Sequence, residues 1–416
     1  MTAAALRQSP STAAASVRTC PICRADDATA LHRQRYALFD DSDLPRETTI
    51  VACGGCGMVY AASNARAEDY RRHYARHSKY DTAVMVSGSG EAATDARRLD
   101  DLVRFLTQHV AALASHDAAI LDIGSGRGGL PSAFVGHGYD RVVGIDPSSG
   151  CVASMRAIGL AAEVGELEQA EWPTDPGRFD LVVLSHVLEH VFDVAGGFAR
   201  VAQRVAPHGA IYIEVPDASR YTTERFPPFY FFDPEHINHF DGPLLDRLAS
   251  GQGWEIVATW PRVLDLDGGQ RYPAIGVVLQ RATPVAKPRP AETSGASAIA
   301  RYVDASRLAV DRSVDGVAIA RLATDATPIV VWGAGSHAQR LLAQSALAHC
   351  SIACIIDSDP GKQGRDLSGH RVVSSEAGLA CAEERGATIV VAIAVGADLV
   401  VELIRRGRPA VPVVCL

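Results

Sequence analysis

From residue 118 onward the chain alternates short apolar runs with helical segments: "AAILDIG", "RVVGID", "AAEVGE", "FDLVVLSH", "GAIYIEVP", "WEIVATW" and "RYPAIGVVLQ". Runs this short, separated by helices, require crossover connections, so the strands must be mostly parallel and covered on both faces. The expected class is α/β, a doubly wound sheet. The pattern stops at 283–298, "TPVAKPRPAETSGASA", where Pro, Ala and Ser replace apolar periodicity and a linker is expected. Beyond it, a helix over about 299–322 and four more apolar runs, "PIVVWGAG", "SIACIID", "ATIVVAIA" and "VPVVCL", predict a smaller Rossmann-like domain over 299–416.

Ahead of the alternation, "CPIC" at 20–23 and "CGGC" at 53–56 form two C-x2-C pairs separated by 29 residues. Each pair can turn two thiolates toward one metal, and Cys20, Cys23, Cys53 and Cys56 together would complete the tetrahedral shell that zinc prefers. Four protein ligands leave no open position, so the expected role is folding, in a zinc-binding module over 20–64. Two unrelated pairs or disulfides are the alternative. The Ala-, Ser- and Thr-rich residues 1–19 read as a disordered tail, and the odd total of nine cysteines points to a reducing cytoplasm. A formal charge of -8 and a pI near 6.0 argue against a nucleic-acid partner. No apolar run approaches the roughly 18 residues of a membrane helix. Oligomeric state is not legible.

Two motifs in the central part carry chemistry. "LDIGSGRGGL" sets Asp122, Gly124, Gly126 and Gly128 at a strand-to-helix turn, where bare backbone and helix N-terminal amides can approach a ligand closely. "GIDPS" ends the next strand on Asp146, whose carboxylate can accept both hydroxyls of a ribose. With "FDLVVLSHVLEHV" and "PHGAIYIEVP", these segments follow an order that resembles class I S-adenosylmethionine-dependent methyltransferases over roughly residues 90–280. The resemblance implies a class I methyltransferase domain over 65–282, including N-terminal helices. It gives Asp122 and the Gly124–Gly128 turn the methionine part of the cofactor, Asp146 the ribose, and Glu166 the adenine end. Ser185 and His186 would border the cofactor. A nicotinamide-binding fold is the rival. The run "RAEDYRRHYARHSKYD" at the head of this domain reads equally as a solvated helix face or a substrate contact.

The order of parts resembles something narrower: three-part C-methyltransferases of nucleotide-linked keto-sugars, with a four-cysteine zinc module, a methyltransferase domain and a C-terminal Rossmann-like domain. "VWGAGSHAQRLL" and "DPGKQG" look like the third part. That family carries a Y-x-E-H motif whose histidine is thought to remove a proton. Here the stretch is "FFDPEHINHF", so Glu235 and His236 match while Asp233 stands where tyrosine is expected; His190 of "LEHV" would be the second pocket histidine. Imidazole titrates near neutrality and suits removal of a weakly acidic proton beside a ketone. Three alternatives stay open: His236 and His239 only cap or pack an aromatic lid; methyl goes to oxygen or nitrogen of a related metabolite; or the fold is a non-catalytic scaffold. "GAGSHA" with Asp357 is open to NAD binding, nucleotide-sugar diphosphate binding, or mere closure of the cleft.

Overall fold

The computed structural model describes residues 18–77, 93–168, 178–266, 270–282 and 294–416. Three sheets account for its strands. The largest contains β4 (Ile120–Ile123), β5 (Val142–Asp146), β6 (Ala161–Val164), β7 (Phe179–Ser185), β8 (Val205–Pro216), β10 (Trp254–Asp265) and β11 (Arg271–Arg281), in the order β10-β11-β8-β7-β4-β5-β6. All seven apolar runs are strands. The pairs from β8 to β6 are parallel, and β11 runs against both neighbours. This is the class I methyltransferase α/β fold. Its central strands are apolar on both faces because helices cover both; β4 is buried throughout. On one face, helix Ala93–His109 buries Leu99, Leu102, Val103 and Leu106, one helical stripe, against Phe134, Leu181 and Tyr212.

The second sheet joins β1 (Ala28–Arg35), β2 (Glu47–Cys53) and β3 (Val59–Ala62) of the cysteine-bearing segment to β9 (Asn238–His239), which lies inside "FFDPEHINHF". Val59 pairs with His239 and Tyr60 with Asn238. The module and the central domain therefore share a sheet. Arg18, which composition places in the tail, belongs to this unit: it is 4% exposed. Residues 1–17 lie outside the described residues.

The third sheet is the C-terminal one: β12 (Pro328–Trp332), β13 (Ser351–Ile356), β16 (Thr388–Val391) and β17 (Val413–Cys415), as expected, with β14 (Asp366–Leu367) and β15 (His370–Val373) added at one edge. All but β14 are parallel. The single helix expected near 299–322 is two, Ser294–Asp311 and Val314–Thr324, because the Ser313 hydroxyl accepts the Gly316 N–H and starts a new helix. The first begins inside the 283–298 stretch; residues 283–293 lie outside the described residues. Among the described residues, no helix is long and apolar enough to cross a membrane.

Candidate active site

In open α/β sheets the crevice forms beyond the carboxyl ends of the strands, where their order reverses. Here β5 and β7 flank β4, and a cavity of about 380 Å³ opens at that end. Gly124 and Gly126 turn the chain at φ of 71° and 53°, a region that glycine enters without strain. A Cβ on Gly124 would stand 2.7 Å from Val187 Cγ2, so bare backbone is required there. Asp146 accepts the N–H groups of Gly126 (2.8 Å) and Ser148 (2.9 Å), which ties the glycine turn to β5. Burial, with the charge of Asp146 behind it, raises the Asp122 carboxyl well above its ordinary pKa. Glu166 follows β6, and burial raises its pKa to about 7 against the opposing pull of Arg71, 3.8 Å away. Asp122, Gly124, Gly126, Asp146 and Glu166 line the cavity with Ser185 and His186. Gly128 does not: it precedes helix Gly129–Gly136 at φ 88° and packs toward Met155.

His186 follows β7 in a left-handed conformation, φ 56°, that turns its ring between two buried carboxylates. Nδ1 lies 3.1 Å from Glu189 Oε1 and Nε2 lies 3.2 Å from Glu214 Oε1. Burial alone would lower its pKa, but the two carboxylates outweigh it and raise it to about 9, so the ring is an imidazolium at neutral pH. Glu214, fully buried on β8, also accepts Arg262 Nη1 (2.7 Å) and the Tyr212 hydroxyl (2.8 Å), with Arg98 Nη1 at 3.6 Å. Burial would raise its carboxyl; His186 and Arg262 hold it well below the usual range. His186 is thus a fixed charge at the cavity wall and is unavailable as a base near neutrality.

"FFDPEHINHF" divides in two. Phe231, Phe232 and Phe240 are core residues, and His239 is 1% exposed, bonded to the Tyr221 hydroxyl at 3.2 Å and held neutral by burial, which lowers its pKa to about 3. Glu235 and His236 face the cavity instead. The His236 ring meets the His190 ring edge-on, with centroids 4.8 Å apart. His190 Nδ1 lies 3.1 Å from the Tyr74 hydroxyl and 3.1 Å from the Glu235 carbonyl oxygen. Asp233 turns the other way: one oxygen accepts the Glu235 N–H and the other accepts the hydroxyl of Ser336, in the C-terminal "GAGSHA" turn.

Sequence reasoning missed Tyr74, Arg98 and Glu189. Tyr74 lies in the helical run that also fits a solvated face, Ala67–His77. Arg98 contributes a buried Nη1 that has no hydrogen-bond partner among the described residues, at the cavity wall. Glu189, 1% exposed, has Oε2 beside the two histidines with no hydrogen-bond partner among the described residues. Elsewhere, Cys20, Cys23, Cys53 and Cys56 present sulfurs within 4.8 Å of one another, with Cys20–Cys56 and Cys23–Cys53 at 3.5 Å. A tetrahedral zinc with Zn–S near 2.3 Å needs sulfurs about 3.8 Å apart, so the cluster fits that ion.

Residues 92–259 match the family described as a methyltransferase domain. The chain is 26% identical over 363 residues to C-methyltransferase NovU of Streptomyces niveus, covering 80% of this chain and 78% of that protein. It is also 26% identical over 270 residues to the probable S-adenosylmethionine-dependent methyltransferase Rv3030 of Mycobacterium tuberculosis, covering 60% of this chain and 97% of the relative. A ubiquinone biosynthesis O-methyltransferase of Bradyrhizobium is 37% identical over 100 residues, 23% of this chain and 38% of that enzyme. A glycine turn and a carboxylate joined across the switch point of a sheet in the class I order, within a matching domain, make this chain an S-adenosylmethionine-dependent methyltransferase.

Proposed function

We propose that this enzyme methylates a carbon beside the keto group of a nucleotide-linked sugar, with His236 as the base. The observation that carries the reading is that His236 and His190 share one cavity with the Gly124–Gly126 turn and Asp146. Support also comes from the 80% span of the match to NovU, which is named a C-methyltransferase.

S-adenosylmethionine, when bound, supplies an electrophilic methyl group. Asp146 would accept from the ribose, Glu166 would meet the adenine end, and Asp122 with the glycine turn would hold the methionine part. Arg98 Nη1, a buried donor that among the described residues meets no acceptor nearer than Glu214 Oε1 at 3.6 Å, suits the methionine carboxylate. His236 would take the proton next to the ketone, and Glu235 orients the site through its carbonyl on His190. The Tyr74 hydroxyl supplies the phenol that Asp233, turned toward Ser336, does not. Tyr230 and Tyr272 border the same space and restrict water. The Ser336–Asp233 contact favours a cleft-closing role for the C-terminal Rossmann-like domain, with sugar-diphosphate binding at that turn next.

Zinc on the four cysteines would stabilise the module without chemistry, and a cytoplasmic setting agrees with nine cysteines of which none is in a disulfide. Metal analysis of freshly purified protein should return one zinc per chain; none would remove the assignment. Transfer to oxygen is the second reading, favoured by the 37% identity to an O-methyltransferase. Incubation with labelled S-adenosylmethionine and a panel of nucleotide-linked 4-keto-sugars in deuterated water distinguishes them. A carbon-bound methyl and deuterium in the sugar are expected, whereas an oxygen-bound methyl without exchange would overturn the proposal.

A further inference from the structure

We propose that Arg18 is a positioning residue through which the cysteine module sets His190 and His236; the idea rests on the reading of those histidines given above. Arg18 precedes Cys20 by two residues, and its guanidinium is buried where the module meets the active-site loops. Nη1 donates to the carbonyls of Ala61 (3.3 Å) and Ile237 (3.0 Å). Nη2 donates to the carbonyls of Val191 (3.2 Å) and Phe192 (2.9 Å) and to Asn238 Oδ1 (2.7 Å), and Nε reaches Phe192 O at 3.3 Å. The plane also lies over the Phe192 ring, 4.8 Å from its centroid.

Two of these acceptors adjoin the catalytic histidines: Val191 follows His190 and Ile237 follows His236. The segments are laced further, with Ile237 N–H on Glu189 O (2.8 Å) and the Asn238 amide on Leu188 O and Val191 O (both 2.7 Å). Arg18 closes this seam from the module side, beside the knuckle that holds Ala195 N–H on Pro21 O (3.0 Å) and Arg24 on Asp193 (2.6 Å). A buried cation is tolerated when its donors are met, and only a planar fork can meet carbonyls on three separate segments at once. The distance between the two imidazoles is therefore set partly by a residue outside the methyltransferase domain.

The test uses full-length, zinc-loaded Arg18→Ala and Arg18→Lys, the latter keeping the charge but not the fork. Turnover is read on a thymidine-diphosphate-linked 4-keto-sugar, cofactor affinity by calorimetry, and the histidine imidazoles by NMR without sugar. We expect kcat to fall by about a hundredfold with the S-adenosylmethionine Kd changed by less than about twofold, since misplacement of reacting groups acts on rate. Zinc should stay bound, the His190 and His236 resonances should move, and millimolar guanidinium should restore part of the Arg18→Ala rate. Unmoved resonances with wild-type kcat in either folded, zinc-bound variant would overturn the proposal. His236→Asn run in parallel separates the two ideas. If it stays active while Arg18→Ala moves both imidazoles, the base assignment fails and the positioning role stands.

Discussion

His236→Asn should turn over at about one-hundredth of the wild-type rate or less, because the amide keeps size and hydrogen bonding but cannot take a proton near pH 7. S-adenosylmethionine affinity and melting temperature should stay near wild type, since Asp122, Asp146 and the glycine turn are untouched. Exchange of solvent deuterium into the keto-sugar should be lost with the rate. His239→Asn should show the reverse pattern, a modest rate change with a lower melting temperature, because His239 is buried, neutral and bonded to Tyr221 away from the cavity. Turnover of His236→Asn at the wild-type rate would return the DPEH segment to a purely structural role.

Glu214→Ala should destabilise the protein by about 3–5 kcal/mol, the range seen when one partner of a buried charge cluster is removed. Its carboxylate is the meeting point of His186, Arg262 and the more distant Arg98, and alanine would leave those cations facing one another. A domain is commonly stable by only about 5–15 kcal/mol, so the loss should be plain in urea unfolding. A change below about 1 kcal/mol would mean that the cluster contributes little beyond a surface pair. The pH dependence has a definite sign. His186 is raised from 6.5 to about 9, so its contribution is full below 6.5 and is lost as pH rises toward 9. Glu214 is depressed from 4.5, so its contribution is full above 4.5 and is lost only as acid protonates it. The cluster is therefore strongest between about 4.5 and 6.5.

Much of the central domain was legible because its signals are local. Seven apolar runs became seven strands, and the glycine turn and Asp146 are neighbours in the sheet because consecutive parallel strands end at the same edge. What stayed hidden depends on distant packing. Tyr74 sits among Arg and His residues that match a solvated helix, and nothing nearby announces that the helix closes over His190. Asp233 stands where the resemblance leads one to expect a phenol, yet its side chain answers to Ser336, 103 residues away. Arg18 is hidden by its Ala- and Ser-rich surroundings, because one buried cation does not change their average composition. The two histidines of one decapeptide differ for a similar reason: strand pairing of His239 with Val59 fixes which ring turns to the core.

That shared strand bears on how such an enzyme can be cut and recombined. Residues 92–259 look from the outside like a portable catalytic cartridge. Yet the segment carrying His236 is sewn to β3 on one side, while the Tyr302 hydroxyl accepts the Phe231 N–H and the Ser306 hydroxyl that of Phe229 on the other. A chimaera joined at the outer edges of the cartridge would inherit the glycine turn and Asp146 but mismatch the backing of the proposed base. Productive crossovers must instead keep Arg18, β3, the DPEH segment and helix Ser294–Asp311 from a single parent.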